Sequence, residues 1–291
     1  MAKVLDKRSQ GQPPEVTGLF EAMRYALLGG GKRVRPLMAL AAAEAVGGRA
    51  QEALPAAMAV EMIHAYSLIH DDLPSMDDDD LRRGRPTCHK VYGEGLAILA
   101  GDALLTLSVE VLADCGRKSL ESARRINQAA VCLARAAGAV GMVGGQALDL
   151  AFERQAEDSG GGADVTGDMV RDMEYRKTAE MIIAALVCGA IMGGGGPADL
   201  RTLRKIGLNA GLAFQIQDDL LNLEGDPAVL GKAVGSDARR GKASFPAVMG
   251  LEAARRELDG LTEKALAGAV SFKLRGRHLA GLIDSLVNRR V

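Results

Sequence analysis

Residues 70–86, HDDLPSMDDDDLRRGRP, put six aspartates into ten positions and follow them at once with three arginines. A surface ion-pair patch intermixes its signs, whereas here the acids precede the bases around Pro74, after a mostly apolar lead-in from Met62 to Ile69. Such a block either repels itself in solvent or is held together by something positive. A second acid-rich stretch, FQIQDDLLNLEGD, places Gln215, Asp218, Asp219 and Asn222 at i, i+3, i+4 and i+7, one polar stripe on an otherwise apolar helix. On the helix ending near residue 72, His64, Ser67 and Asp71 share a face, and Pro74 turns Asp77 back toward it. Carboxylates without a Cys/His ligand set suit hard cations, and Mg²⁺ takes one or two carboxylates together with substrate phosphates. An isolated DDxxxxD reads more simply as a solvated acidic turn. A Ca²⁺ loop is disfavoured because EF-hand spacing and its terminal Glu are missing. Two acidic sites in apolar helices shift the balance toward metal.

Basic groups supply the other half. GGGKRVRP (29–36) sets Lys32, Arg33 and Arg35 on a glycine-rich turn that opens a helix, a good anion site. LRRGRP adds Arg82 and Arg83, YRKTAE adds Lys177 with the hydroxyl of Thr178, and 224–246 adds Lys232 and Lys242. Singly, each reads as a solvated charge. Together they offer cations for two polyanions, one held through metal and one held directly.

These groups need elements to position them. Ala, Leu, Met, Glu and Arg dominate and aromatics are only 3%, which favours helix over strand. Apolar residues recur every three or four positions over 37–46, 55–72, 95–114, 120–150, 168–192, 199–224 and 246–268, with breaks at clustered Gly and Pro. The pattern predicts one large all-α bundle over 1–291, with functional groups on facing helices and residues 1–15 flexible. Residues 154–167 and 224–246 lack helical periodicity, and a segment as long as the second suits a lid or binding loop. Met181–Ala198 carries no charge over 18 residues, but Gly193–Pro197 ends it, so it reads as a buried helix and not a membrane span. A formal net charge of −1 and the lack of a basic arm argue against nucleic acid. Cys88, Cys115, Cys132 and Cys188 have no CxxC spacing, which fits a reducing cytoplasm, and MAKVLDKRSQGQPP has no apolar core for a signal peptide.

From about Met23 to the C-terminus the chain resembles the trans-isoprenyl diphosphate synthases. GGKRVRP, LIHDDLPSMDDDDLRRGRPTCHK, ILAGDALL, GGQALDL, RKTAEMI, FQIQDD and GKAVGSDARRGK occur in that family's order. The resemblance implies an all-α fold enclosing a deep apolar pocket, a homodimer, and small diphosphate substrates. It implies a prenyltransferase that ionises an allylic diphosphate with three Mg²⁺ per active site and joins the allylic cation to isopentenyl diphosphate. On this resemblance Asp71, Asp72, Asp77, Asp218 and Asp219 are the metal site. Lys32, Arg35, His64 and Arg83 hold isopentenyl diphosphate. Arg82, Lys177, Thr178, Gln215, Lys232 and Lys242 surround the allylic diphosphate, with Lys177, Thr178, Gln215 and Lys232 serving catalysis. Asp78, Asp79 and Asp80 read as partners for nearby arginines.

Two departures stand out. The second motif usually reads DDxxD, and residue 222 is Asn, a weaker and neutral Mg²⁺ ligand. The segment before GGKR is short, which puts a first helix of the family in question. Product length in the family follows bulk one turn before the first motif, here Tyr66 and Ser67. Tyr66, with the Pro-Ser insertion in DDLPSMD, resembles bacterial farnesyl diphosphate synthases, so farnesyl diphosphate is the expected product and geranylgeranyl diphosphate the alternative. A class I terpene cyclase has no use for a second diphosphate site, and a non-catalytic prenyl synthase subunit tends to lose motif aspartates.

Overall fold

In a computed structural model, described over residues 1–115, 119–158, 165–224 and 243–287, the chain is a bundle of helices with one two-stranded hairpin. The helices run α1 (Ala2–Ser9), α2 (Pro14–Leu28), α3 (Val34–Ala45), α4 (Ala50–Asp71), α5 (Cys88–Tyr92), α6 (Glu94–Asp114), α7 (Leu120–Ala137) and α8 (Met142–Asp158). They continue as α9 (Gly167–Glu174), a π turn (Tyr175–Ala179), α10 (Glu180–Met192), α11 (Pro197–Glu224), α12 (Phe245–Met249), α13 (Leu251–Val270) and α14 (Arg277–Val287).

The centre is α10, where every residue from Met181 to Ile191 is buried, with α3, α4, α7 and α11 packed around it. The uncharged run beginning at Met181 is therefore the core of the bundle, as its glycine-terminated length suggests. By length and composition alone, Glu94–Asp114 and Leu120–Asp158 could also cross a membrane. In the fold the first buries one face against α2 and α4, and the second divides at Gly138–Gly141 into α7 and α8.

That division corrects the single run expected over 120–150. At the N-terminus, where flexibility over 1–15 is expected and a first helix of the family is in question, α1 buries Leu5 completely and Pro14 opens α2 at its first turn. The long α4, 22 residues, delivers the first aspartate motif, and α11 delivers the second.

Candidate active site

Beyond α4 the chain folds back on itself. The Asp77 N–H donates to the Asp71 carbonyl at 2.8 Å and the Asp78 N–H to the Leu73 carbonyl at 3.1 Å. This is the return that Pro74 predicts, and it brings Asp77 beside Asp71. The hairpin then pairs Leu81 with Pro86 and Arg82 with Arg85. Its tip, Arg83–Gly84, has φ of 56° and 72°, positive at both central positions as in a type I′ turn. The LRRGRP signature is thus a turn that aims two arginines at once.

Arg82 donates from Nε to Asp72 Oδ1 at 2.9 Å and also reaches Asp79 at 3.3 Å. Asp72 is buried and pairs with Arg82. It holds the guanidinium in place. Asp79 thus partners an arginine, as expected, whereas Asp80 pairs with a lysine, Lys90, at 2.7 Å.

On the facing turn Arg33 starts α3 at φ 51° and pairs with the buried Glu61. Arg83 Nη1 donates to the Gly30 carbonyl at 2.7 Å. Gly31, at φ +103°, leaves room for that guanidinium, since a Cβ there would lie 2.2 Å from Arg83 Nη1. Arg35 Nη1 lies 3.4 Å from His64 Nε2. Burial, then Arg35, Arg83, Arg82 and Arg33, push the His64 imidazole well below the usual histidine range, so it is neutral. Lys32, Arg35, His64 and Arg83 line one cavity of about 860 Å³, with Asp218 also on its wall.

A second cavity, about 520 Å³, shares Arg35, His64 and Leu68 with the first and adds Asp71, Lys177 and Thr178. Tyr66, Ser67, Ile98, Met142 and Val143 continue it as a largely apolar wall. Lys177 and Thr178 ride on the π turn, an irregularity that often marks functional sites. Burial opposes the Lys177 charge, but the neighbouring Asp149 carboxylate outweighs it and holds the ammonium above the usual lysine range. Asp149 meets Lys177 because α8 lies close against the π turn at Gly145, where a Cβ would come within 2.2 Å of the Lys177 backbone nitrogen.

On α11, Gln215 Nε2 donates to Asp219 Oδ1 at 3.0 Å, and the Phe245 N–H donates to Asp219 Oδ2 at 3.0 Å. One Asp219 oxygen is thus held within α11 and the other ties α11 to α12. Lys232 and Lys242 lie outside the described residues. Asp149, Glu174 and Glu61 escape the sequence reading, because isolated acids within apolar helices carry no pattern; only burial reveals them.

Among the described residues, no three His, Cys, Asp or Glu side chains are gathered as a ready metal cage. Mg²⁺ needs none, since it is held by one or two carboxylates and substrate phosphates. The Asp71 carboxyl nonetheless fits a cation. Burial, then Asp77 and Asp72 against the opposing charge of Lys177, raise it to about 6. Of the expected metal site, Asp71 stands on the wall of the second cavity and Asp218 on that of the first.

Residues 16–270 match the family model for polyprenyl synthetase. The chain is 44% identical to heterodimeric geranylgeranyl pyrophosphate synthase large subunit 1 of Arabidopsis thaliana, over 93% of this chain and 72% of that protein. It is 42% identical to farnesyl diphosphate synthase of Bacillus subtilis, over 88% and 84%. Among the similar proteins, geranylgeranyl synthases of A. thaliana outnumber the farnesyl enzyme. Among solved structures, an FPP/GFPP synthase of Zymomonas mobilis superposes with a TM-score of 0.85 at 36% identity, covering 98% of this chain and 94% of that one. A geranyltransferase of Helicobacter pylori, complexed with magnesium and isoprenyl diphosphate, gives 0.79 at 33% identity, covering 96% and 89%. Family, fold and facing motifs agree, and the chain belongs to the polyprenyl synthetases, prenyltransferases that condense isoprenoid diphosphates with the aid of Mg²⁺.

Proposed function

We propose that the protein adds isopentenyl diphosphate to an allylic diphosphate and carries the chain to geranylgeranyl diphosphate. The reading is supported chiefly by the two adjoining cavities that share Arg35 and His64, one rich in cations and one running from Asp71 into an apolar wall. In it, Lys32, Arg35, His64 and Arg83 hold the diphosphate of isopentenyl diphosphate. Arg82, Lys177, Thr178 and Gln215 surround the allylic diphosphate, with Lys232 and Lys242 assigned there by resemblance alone. Asp71, Asp77 and Asp218 hold three Mg²⁺, which when bound neutralise the charge of the leaving diphosphate. Fixed cations aimed at that developing charge lower the barrier to carbon–oxygen cleavage, because they need no reorganisation as it forms. The neutral His64 accompanies the arginines without adding to their repulsion. A terpene cyclase would leave the Lys32–Arg83 cavity without a substrate.

The preponderance of geranylgeranyl synthases among the relatives moves the product from the expected C15 to C20. Farnesyl diphosphate stays as the second reading on one observation. Tyr66 is buried on the cavity wall, edge-on to His70 with ring centroids 5.8 Å apart, a bulky group along the path of a growing chain. Chromatography of the product formed from labelled isopentenyl diphosphate, dimethylallyl diphosphate and Mg²⁺ separates them. A C20 product supports the main reading, and a C15 stop that lengthens in Tyr66→Ala supports the second. No condensation would sink both.

The protein is further proposed to act as a homodimer in a reducing cytoplasm. Its four cysteines are all free thiols, as such a compartment requires. The dimer rests on exposed aliphatic side chains of α6, Leu99, Leu105 and Val109 among them.

A further inference from the structure

Glu174 is a buried acid to which the reaction above gives no task. It closes α9, one turn before Thr178, and is 6% exposed. Thr178 Oγ1 lies 3.0 Å from Glu174 Oε2 and 3.2 Å from Gln215 Oε1. Gln215 in turn donates to Asp219, which also accepts from the Phe245 N–H. These contacts form one chain, and counting hydrogens fixes its direction. A threonine hydroxyl has one hydrogen to give. Here it stands between two oxygens. The Gln215 amide cannot turn over to lend another hydrogen, because its oxygen would then face the Asp219 carboxylate. An ionised Glu174 would leave two acceptors competing for one donor. A protonated Glu174 removes the conflict: it donates to Thr178, Thr178 donates to the Gln215 carbonyl, and the Gln215 N–H donates to Asp219.

We propose that Glu174 is a neutral acid that acts as a positioning residue, fixing the direction in which Thr178 and Gln215 present their polar groups to the allylic substrate. The proposal deepens, and rests on, the reading that Thr178 and Gln215 line the allylic site. The surroundings favour the neutral form. Burial first, then the Asp219 carboxylate of α11 and Asp149 of α8, push the carboxyl up to about 8 against the opposing charge of Lys177 on the π turn. The packed helix α12 brings no titratable side chain. Above that pH the carboxylate draws the Thr178 hydrogen to itself, and the Gln215 carbonyl loses its donor. A misdirected group beside a reacting centre lowers kcat more than it weakens remote binding.

The test compares the intact wild-type protein with E174Q, E174A and Q215A, using dimethylallyl diphosphate, isopentenyl diphosphate and Mg²⁺. The amide of E174Q still donates to Thr178 but does not titrate. Wild-type kcat is expected to fall as pH rises through about 8. E174Q is expected to stay level there and to match wild type within about threefold at neutral pH. E174A is expected to lose roughly tenfold in kcat, less than the ~10²–10³ of deleting a group that touches the reacting charge, with KM for isopentenyl diphosphate unchanged. An infrared difference spectrum of wild type minus E174Q is expected to show the C=O stretch of a protonated carboxyl at neutral pH. Absence of that band, or a fall in kcat that persists in E174Q, overturns the proposal. Wild-type turnover in Q215A overturns the allylic-site reading and the positioning role together. A defective Q215A beside an unchanged profile in E174Q overturns the positioning role alone.

Discussion

Asp71 carries its proton more tightly in the folded chain than in water, because burial and two neighbouring carboxylates outweigh Lys177. The sign of the consequence follows. An acid whose carboxyl is raised from 3.8 to about 6 favours the folded state fully below the lower value, and that contribution is lost as pH rises through the upper one. Above about 6 the ionised first motif is a site of repulsion, which a divalent cation relieves. Binding of Mg²⁺ with inorganic pyrophosphate therefore stabilises the protein more where Asp71 is already ionised, since at lower pH the metal must first displace a proton. The measurement is the rise in Tm caused by Mg²⁺ and pyrophosphate at about pH 8 and at about pH 5. A clearly larger rise at the higher pH is expected for the wild type, and the difference is expected to shrink in Asp71→Asn. Equal shifts in the wild type would remove Asp71 from the metal site.

At the scale of elements, the sequence reveals what repeats and hides what does not. The periodic runs of α3, α4, α6, α10 and α11 stand out because apolar residues recur on one face or all round. Pro74 and Gly84 announce their turns because each residue imposes its own backbone geometry. The helix α14 was legible in principle, with Leu279, Ile283 and Leu286 at i, i+4 and i+7 and all buried, but it falls outside the runs read from the sequence. The π turn was not, since nothing in YRKTA distinguishes it from the helix on either side. Likewise Asp72 and Asp219 look identical in type to Asp71 and Asp218, and only packing shows that Arg82 holds the one and the Phe245 N–H the other. Close approach of elements is equally silent in sequence, and it yields a prediction. Gly145→Ala puts a methyl group into the Lys177 backbone, whereas Gly281→Ala, mid-helix in α14, meets nothing within 4 Å. The first is expected to destabilise by roughly 1–3 kcal/mol through overpacking and to lower kcat by displacing Lys177 from Asp149. The second is expected to stabilise by about 0.5–1 kcal/mol, because alanine loses less entropy in a helix. Denaturant unfolding measures both. The same sign for the two would contradict the close packing of α8 on the π turn.

For the whole molecule, one helix joins the site to the surface. Its inner face, with Ala97, Ala100, Leu104 and Leu107 buried, packs on α4, which ends at Asp71. The outer face of this α6 exposes Leu99 (54%), Leu105 (37%) and Val109 (60%), while Ile98 both lines the substrate cavity and stands 44% exposed. Aliphatic side chains clustered on one outward helix face mark an association surface more than chance exposure does. A second copy seated there would lie one helix layer behind the first aspartate motif and would cover the cavity wall at Ile98. Two-fold pairing suits the geometry, because a self-complementary stripe closes on itself and leaves no further face to grow. Val109→Glu places a carboxylate at the C-terminal end of that surface, outside the lining of either cavity. It is expected to convert the protein to monomers in sedimentation analysis. The monomer is expected to turn over more slowly and to release a broader range of chain lengths, because α6 loses its support and Ile98 its cover. A variant that stays dimeric would place the contact on another face, and a monomer with unchanged rate and product would show that each chain builds its cavity alone.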